Sequence, residues 1–151
     1  MSRGSFYWHF RDIADYRAQL LESWRERATE QIIRDIEARQ AEPDRLHALL
    51  TGAFVEKPAL ARAASPWAAE DAIRAWAARD AGIAAAVASV DDRRVDYIAE
   101  LLRAAGVDGD AARARAAFLY WAYLGQAIIM GRRHAAATPA AIDDICRLIV
   151  R

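Results

Sequence analysis

The chain has 151 residues, of which 55% are hydrophobic and 28% are charged, and this balance excludes a disordered chain. The 21 basic and 21 acidic side chains cancel, so the sequence lacks the basic excess that is typical of a freestanding nucleic-acid binder. The single cysteine, Cys146, excludes an intrachain disulfide bond. Because alanine and arginine dominate and there are only 7 glycines and 4 prolines, we predict one all-α domain.

The first predicted element is a long helix from Asp12 to about Ala38. Its apolar residues recur at steps of three and four, which predicts one buried stripe along the helix. The stripe consists of Ile13, Tyr16, Leu20, Trp24, Ala28, Ile32 and Ile36. Asp12 stands where its carboxylate can cap the first free backbone amides.

Two shorter helices follow. Glu42-Pro43-Asp44 interrupts the chain, and the next helix carries Leu46, Leu49, Leu50, Ala53 and Phe54 on one face before Lys57-Pro58 ends or bends it. Ser65-Pro66 predicts another helix start, because a hydroxyl cap is followed by proline at the first helical position. The buried side of this helix is predicted to carry Trp67, Ile73, Trp76 and Ala77, and the helix to stop near Asp80.

The second half of the chain predicts three more helices. The first has a stripe of Ile83, Val87, Val90, Arg94, Tyr97, Leu101 and Ala105, and Gly106 stands where a left-handed cap would end it. The next runs from about Asp110 to Met130. Thr138-Pro139 repeats the cap-plus-proline signal before the last helix, whose apolar positions include Ile142, Ile145, Cys146 and Ile149.

Ala116 to Met130 is apolar around most of the helix circumference. A helix of this kind must be covered on more than one side, either inside a monomer or by a second chain. Its 15 residues are too few to span a bilayer comfortably, and the N-terminus has no signal-peptide pattern. We therefore expect a cytoplasmic protein without a membrane span.

Four aromatic residues from four different helices are candidates for lining a ligand cavity: Trp24, Phe54, Trp76 and Tyr97. Apolar pockets between helices are common ligand sites, although aromatic residues at helical spacing more often belong to a core. A neutral or aromatic small molecule is the favoured ligand class.

No pattern indicates catalysis. The histidines His9, His47 and His134 are scattered, and the single Asp44-x-x-His47 pair does not supply the paired motifs of a di-iron bundle. There is no His/Cys cluster for zinc and no glycine-rich phosphate loop. We expect a protein that is not an enzyme and that needs no metal or other cofactor, with Cys146 as a buried thiol.

The opening residues carry the most informative motif, Ser2-Arg3-Gly4-Ser5-Phe6-Tyr7-Trp8-His9-Phe10, followed by Asp12 and the long helix. This segment resembles the recognition helix and linker of the tetracycline-repressor (TetR) family of transcriptional regulators, in which Tyr-x-His-Phe precedes the regulatory domain. Ile13 departs from the family pattern, which often has a lysine there. The alternative is that the aromatic residues pack as an N-terminal arm.

The resemblance implies a DNA-binding role for six residues, namely Ser2, Arg3, Ser5, Tyr7, Trp8 and His9. It divides the chain into a helix-turn-helix remnant over residues 1–11 and a ligand-binding and dimerisation domain over residues 12–151. Because the chain begins inside the motif, we expect it not to bind operator DNA specifically, since so short a helix is unstable alone.

The resemblance also implies a homodimer through the last two helices, a small-molecule effector and, for a complete form, repression at a DNA operator. The residues expected at the dimer contact are Phe118, Trp121, Ala122, Gly125, Ile142, Ile145 and Ile149. Two alternatives remain: a DNA-free module that pairs with a full-length regulator, and a small helical ligand-binding protein unrelated to transcription.

Overall fold

The computed structural model describes residues 11–41, 44–55, 66–129 and 137–151, and within these ranges every regular element is helical. The helices are α1 (Ile13–Arg25), a π-helical segment (Glu26–Glu30), α2 (Gln31–Arg39), α3 (Arg45–Phe54), α4 (Pro66–Ala77), α5 (Ala81–Ala104), α6 (Gly109–Ile129) and α7 (Pro139–Ile149). The predicted all-α class is therefore confirmed for the described part of the chain. The predicted signals at Lys57-Pro58 and Ser65 lie outside it.

Side-chain caps begin three of these helices. Asp12 accepts a hydrogen bond from the Asp15 amide at 2.8 Å, and Thr138 accepts one from the Ala141 amide at 3.2 Å, as the sequence predicts. Asp80, which the sequence analysis places near a helix end, instead begins α5 by accepting from the amides of Gly82 and Ile83. Each cap satisfies amides that have no partner within the first helical turn.

Gly106 ends the α5 region with a φ of +93°, a left-handed conformation that residues with a Cβ atom rarely adopt. The Val107 amide then donates to the Leu102 carbonyl at 3.0 Å, which closes the helix end. This confirms the predicted glycine cap. It also turns the chain so that α6 packs back along α5, the most extensive helix contact in the fold.

The apolar stripe of the first long helix is shifted by one residue after the π-helical segment. Trp24 is buried, as predicted, but the next buried positions are Thr29 and Ile33, whereas Ile32 is 41% exposed. The assignment of Ile32 to the buried stripe was therefore wrong, as were those of Ile13 and Leu20, which are 56% and 38% exposed on α1. A π-turn holds one residue more than an α-turn, so the buried face moves forward by one position.

The core consists of two apolar clusters. One contains Trp24, Ile73, Ile83, Val87 and Val90, and so joins α1, α4 and the first half of α5. The other joins α2, α3, the second half of α5, α6 and α7, and includes Leu50, Tyr97, Leu102, Leu119 and Ile142. Helix α5 is the only element of the described chain with buried residues in both clusters.

Among the described residues, no helix is both long enough and apolar enough to cross a bilayer.

Candidate dimer surface and ligand-binding residues

Large apolar side chains are exposed on both α6 and α7. Trp121 is 67% exposed and Phe118 is 62% exposed on α6, and Leu148 is 65% exposed on α7 beside the less exposed Ile145. Arg115, one turn before Phe118, donates to the carbonyl of Ile149 at 2.6 Å, which links the first part of α6 to the end of α7. We call Phe118, Trp121, Ile145 and Leu148 the apolar face. A patch of this kind marks an interaction surface more often than an isolated exposed leucine does.

The apolar face contains some of the residues expected at a dimer contact but not others. Phe118, Trp121, Ala122 and Ile145 are exposed, as expected. Ile142 is fully buried in the core of its own chain, and Ile149 packs partly against the same core, so neither was correctly assigned to an outer face. Leu148 was not among the residues predicted for the dimer contact. The helical period alone does not show which of two neighbouring apolar stripes on α7 packs against α3.

Gly125 lies on α6 one turn beyond Trp121 and Ala122 and is partly buried. A Cβ atom placed on Gly125 would meet nothing within 4 Å, so packing inside this chain does not require a glycine there. A small residue on an outer helix surface permits close approach by another backbone. The expected role of Gly125 in a dimer contact stays a prediction.

The four aromatic candidates for ligand binding divide between the two apolar clusters. Trp24 is buried in one cluster and Trp76 packs partly against it, whereas Tyr97 is buried in the other with Phe54 packed partly against it. The structure therefore divides them between two clusters and does not bring all four to the lining of one cavity. Their role in ligand binding stays a prediction.

Two side-chain hydroxyl groups are buried without a hydrogen-bond partner among the described residues. They are the phenol of Tyr97, whose side chain is 4% exposed, and the Oγ1 of Thr51 on α3, the helix that also carries Phe54. Burial, and then the negative charge of Glu37, raise the pKa of Tyr97, which keeps its hydroxyl protonated and able to donate. An unsatisfied buried hydroxyl costs stability and needs an explanation.

Buried charges lie between the two clusters, centred on Arg94 of α5. All five N–H groups of its guanidinium have acceptors: Thr29 Oγ1, the Ala28 carbonyl, Tyr120 Oη and both oxygens of Glu70, at 2.9–3.3 Å. Glu70 on α4 also accepts from the Trp24 indole at 3.1 Å. These contacts join α1, the π-helical segment, α4, α5 and α6 at one point.

A second arginine completes this polar network. Arg74 donates to Glu70 at 2.9 Å and makes a two-pronged contact with Asp91 at 2.6 and 3.0 Å. The Tyr120 hydroxyl donates to Asp91 at 2.6 Å and accepts from both arginines. Two carboxylates thus balance two guanidiniums, and we call Glu70, Arg74, Asp91, Arg94 and Tyr120 the polar network.

Burial and neighbouring charges in the polar network shift the pKa values of Glu70 and Tyr120 in opposite directions. Burial by itself would raise the pKa of Glu70, but hydrogen bonds and positive charge from Arg94 and Arg74 outweigh it, so the pKa is lowered. Burial also raises the pKa of the Tyr120 hydroxyl, since the opposing charge of Arg94 is too weak to cancel it. Glu70 is therefore held as a carboxylate, and the Tyr120 hydroxyl is held neutral.

The sequence contained a signal for the polar network that was not used. Arg94 stands within the predicted apolar stripe of α5, where an arginine is buried only if it is paired. Glu70 is three residues before Ile73 and three after Trp67, so it falls on the face of α4 predicted to be buried. A charged residue on each of two buried stripes indicates a buried ion pair.

The residues expected to contact DNA, Ser2, Arg3, Ser5, Tyr7, Trp8 and His9, lie outside the described residues. Within the described part of the chain, no group of three or more His, Cys, Asp or Glu side chains could hold a metal ion. Cys146 is half-buried beside the second cluster, and burial raises the pKa of its thiol. The sequence matches no family model, no curated protein and no solved structure in the comparisons with known proteins.

Proposed function

We propose that this chain is the regulatory body of a TetR-type transcriptional regulator, which forms a homodimer through α6 and α7 and responds to a small molecule. The observation that carries the proposal is the apolar face. Three of its side chains are more than 60% exposed, and they belong to the two helices that the resemblance assigns to the dimer contact.

A second copy of this chain is the occupant that best suits the apolar face. Two adjacent helices that each expose one apolar stripe can pair with their own copies around a twofold axis as a four-helix bundle. Gly125 extends the stripe on α6 with open space above it, which permits close helix approach. The resemblance of the opening segment points to the same arrangement.

The proposed effector is a neutral or aromatic molecule that carries a hydrogen-bonding group. Helices α3 and α5 are in contact and each carries one buried hydroxyl without a partner among the described residues, Thr51 and Tyr97, which supports a ligand position between these helices. The pair Trp24 and Trp76 is a less favoured position, because the Trp24 indole already donates to Glu70. Ligand binding at α3–α5 would act on α5, the helix that joins the two clusters, and through Arg94 on the first long helix.

Sedimentation analysis of the wild-type chain and of Trp121→Glu tests the proposal. We expect the wild type to sediment as a dimer at micromolar concentration and the variant as a monomer, because a carboxylate at the centre of an apolar contact is desolvated without a partner. Gln19→Glu, an equal change of charge on an exposed position of α1, is the control and remains dimeric. A wild-type chain that stays monomeric at the highest soluble concentration would contradict the proposed homodimer.

A further inference from the structure

We propose that Glu26–Glu30 is a register switch, a segment that converts between a π-helix and an α-helix and thereby rotates α1 relative to α2. The observations are the spacing of buried residues, a competing apolar side chain in the other register, and a side-chain clamp that holds the π form. The proposal concerns the first long helix and does not require the function proposed above.

The spacing of buried residues shows that the segment holds one additional residue. The buried positions are Trp24, Thr29 and Ile33, so the first step is five residues and the second is four. A continuous α-helix would take steps of three or four. The extra residue is accommodated by the π-turn, which is common at sites where a helix changes shape for function.

The alternative register also has suitable side chains. Ala28 is already partly buried against the first cluster, four residues after Trp24, and Ile32 follows four residues later. In an unbroken α-helix, Ile32 would take the place of Ile33, which is chemically identical and at present 5% exposed, while Ile32 is 41% exposed. The two registers therefore bury the same type of side chain at this position.

Arg94 selects between the registers. Its Nε donates to Thr29 Oγ1 at 2.9 Å, and its Nη2 donates to the Ala28 carbonyl at 3.3 Å, inside the π-helical segment. Thr29 reaches the guanidinium only because the π-turn places it on the buried face. A side chain that contacts the backbone of a helix in this way stabilises a local departure from α-helical geometry.

Conversion to an α-helix would change the phase between α1 and α2 by one residue, which is about 100° of rotation and about 1.5 Å of translation. Trp24 and Ala28 keep their places against the first cluster in this register, so α2 is the helix that turns. Any change that draws Arg94 away from Thr29 would therefore turn α2 relative to α1.

Deletion of single residues tests the additional residue in the π-turn. Deletion of Arg27, which is exposed, brings Trp24, Thr29 and Ile33 to steps of four in a continuous α-helix. We expect its melting temperature to stay within a few degrees of the wild type. Deletion of Arg34, also exposed, is the matched control. It shortens the step from Ile33 to Ile36 to two residues, so the two side chains no longer share one face of the helix. We expect it to lower the melting temperature by about 10 °C or more. Equal losses in both variants would overturn the proposal.

Thiol labelling tests the conversion itself in a Cys146→Ser background. In the π form, a cysteine at position 32 reacts quickly and one at position 33 slowly. Arg94→Lys, or more mildly Thr29→Val, weakens the contact of Arg94 with the π-helical segment. We expect the labelling rate at position 32 divided by the rate at position 33 to fall at least about tenfold, because a charged hydrogen bond is lost. If Arg94→Lys does not fold, Thr29→Val decides. An unchanged ratio in the folded variants would overturn the switch, whatever the oligomeric state.

Discussion

Glu70 accepts hydrogen bonds from Arg94, Arg74 and Trp24 while its side chain is only 5% exposed. In Glu70→Gln the two arginines would face Asp91 as the one remaining carboxylate of the network. We expect the free energy of unfolding, measured by urea denaturation, to fall by about 3 kcal/mol, the usual cost of leaving a buried charge without its partner. Glu22→Gln removes the exposed partner of Arg25 and is expected to change it by less than about 0.5 kcal/mol. Similar losses in both variants would show that Glu70 is not part of a buried pair.

The lowered pKa of Glu70 predicts a pH dependence of stability. The unfolded chain takes up a proton at this carboxyl near its ordinary pKa of 4.5, whereas the folded chain does so only at lower pH. The stabilisation from Glu70 is therefore complete above pH 4.5 and is lost as the pH falls through the folded pKa. Urea denaturation between pH 6 and 3 is expected to show a steeper loss of stability for wild type than for Glu70→Gln. Parallel curves of unfolding free energy against pH for the two proteins would contradict the lowered pKa of Glu70.

At the scale of residues, burial was more predictable than pairing. Trp24, Ile73, Val87, Val90 and Tyr97 are buried as the three- and four-residue steps predict. The pairing of Arg94 with Glu70 joins positions 24 residues apart on different helices, and helical spacing on one element carries no information about which charge faces it from another. For the same reason, the sequence did not indicate that the four aromatic candidates for ligand binding belong to two different clusters.

Replacing Gly106 or Gly125 by alanine is expected to change the free energy of unfolding in opposite directions. Gly106 has a φ of +93°, so Gly106→Ala is expected to lower the free energy of unfolding by about 1–2 kcal/mol through backbone strain alone. Gly125 is helical with open space around it, so Gly125→Ala is expected to raise it by about 0.5–1 kcal/mol. Urea denaturation at a concentration where the chain is monomeric measures both, and effects of the same sign would contradict the assignment.

The helices themselves were largely predictable, since cap residues and apolar steps mark them locally. Asp12, Gly106 and Thr138 perform the roles that their residue types indicate. The π-turn was not predictable in this way, because Ala28, Ile32 and Ile36 continue the α-helical pattern without a break. It is selected by Arg94, which belongs to α5, and so by a tertiary contact that no local pattern contains.

For the whole molecule, the apolar face predicts a melting temperature that depends on protein concentration. Association stabilises a folded chain by mass action, so a dimer melts at a higher temperature as its concentration rises. We expect this for the wild type over a hundredfold range of concentration, and not for Leu148→Glu, which places a charge on the apolar face. A wild-type melting temperature that is independent of concentration would show that folding and association are not coupled.

Which residues of α7 belong to the apolar face could not be read from the sequence, because the helical period of α7 fits several outward stripes. Burial of Ile142 against the core leaves Ile145 and Leu148 outside, and this selection depends on how α3 packs on α7. The all-helical class, by contrast, follows from composition and spacing over the whole chain.

The interior charges also constrain how this sequence can change over generations. Glu70 and Arg94 are buried and cancel each other's charge, so a single substitution at either one leaves an ion without its partner away from water. Replacing both at once by well-fitting apolar side chains would cost little or even raise stability. Descendants that arise by one substitution at a time are therefore expected to retain Glu70 and Arg94, and to vary freely at surface pairs such as Arg147 and Asp144.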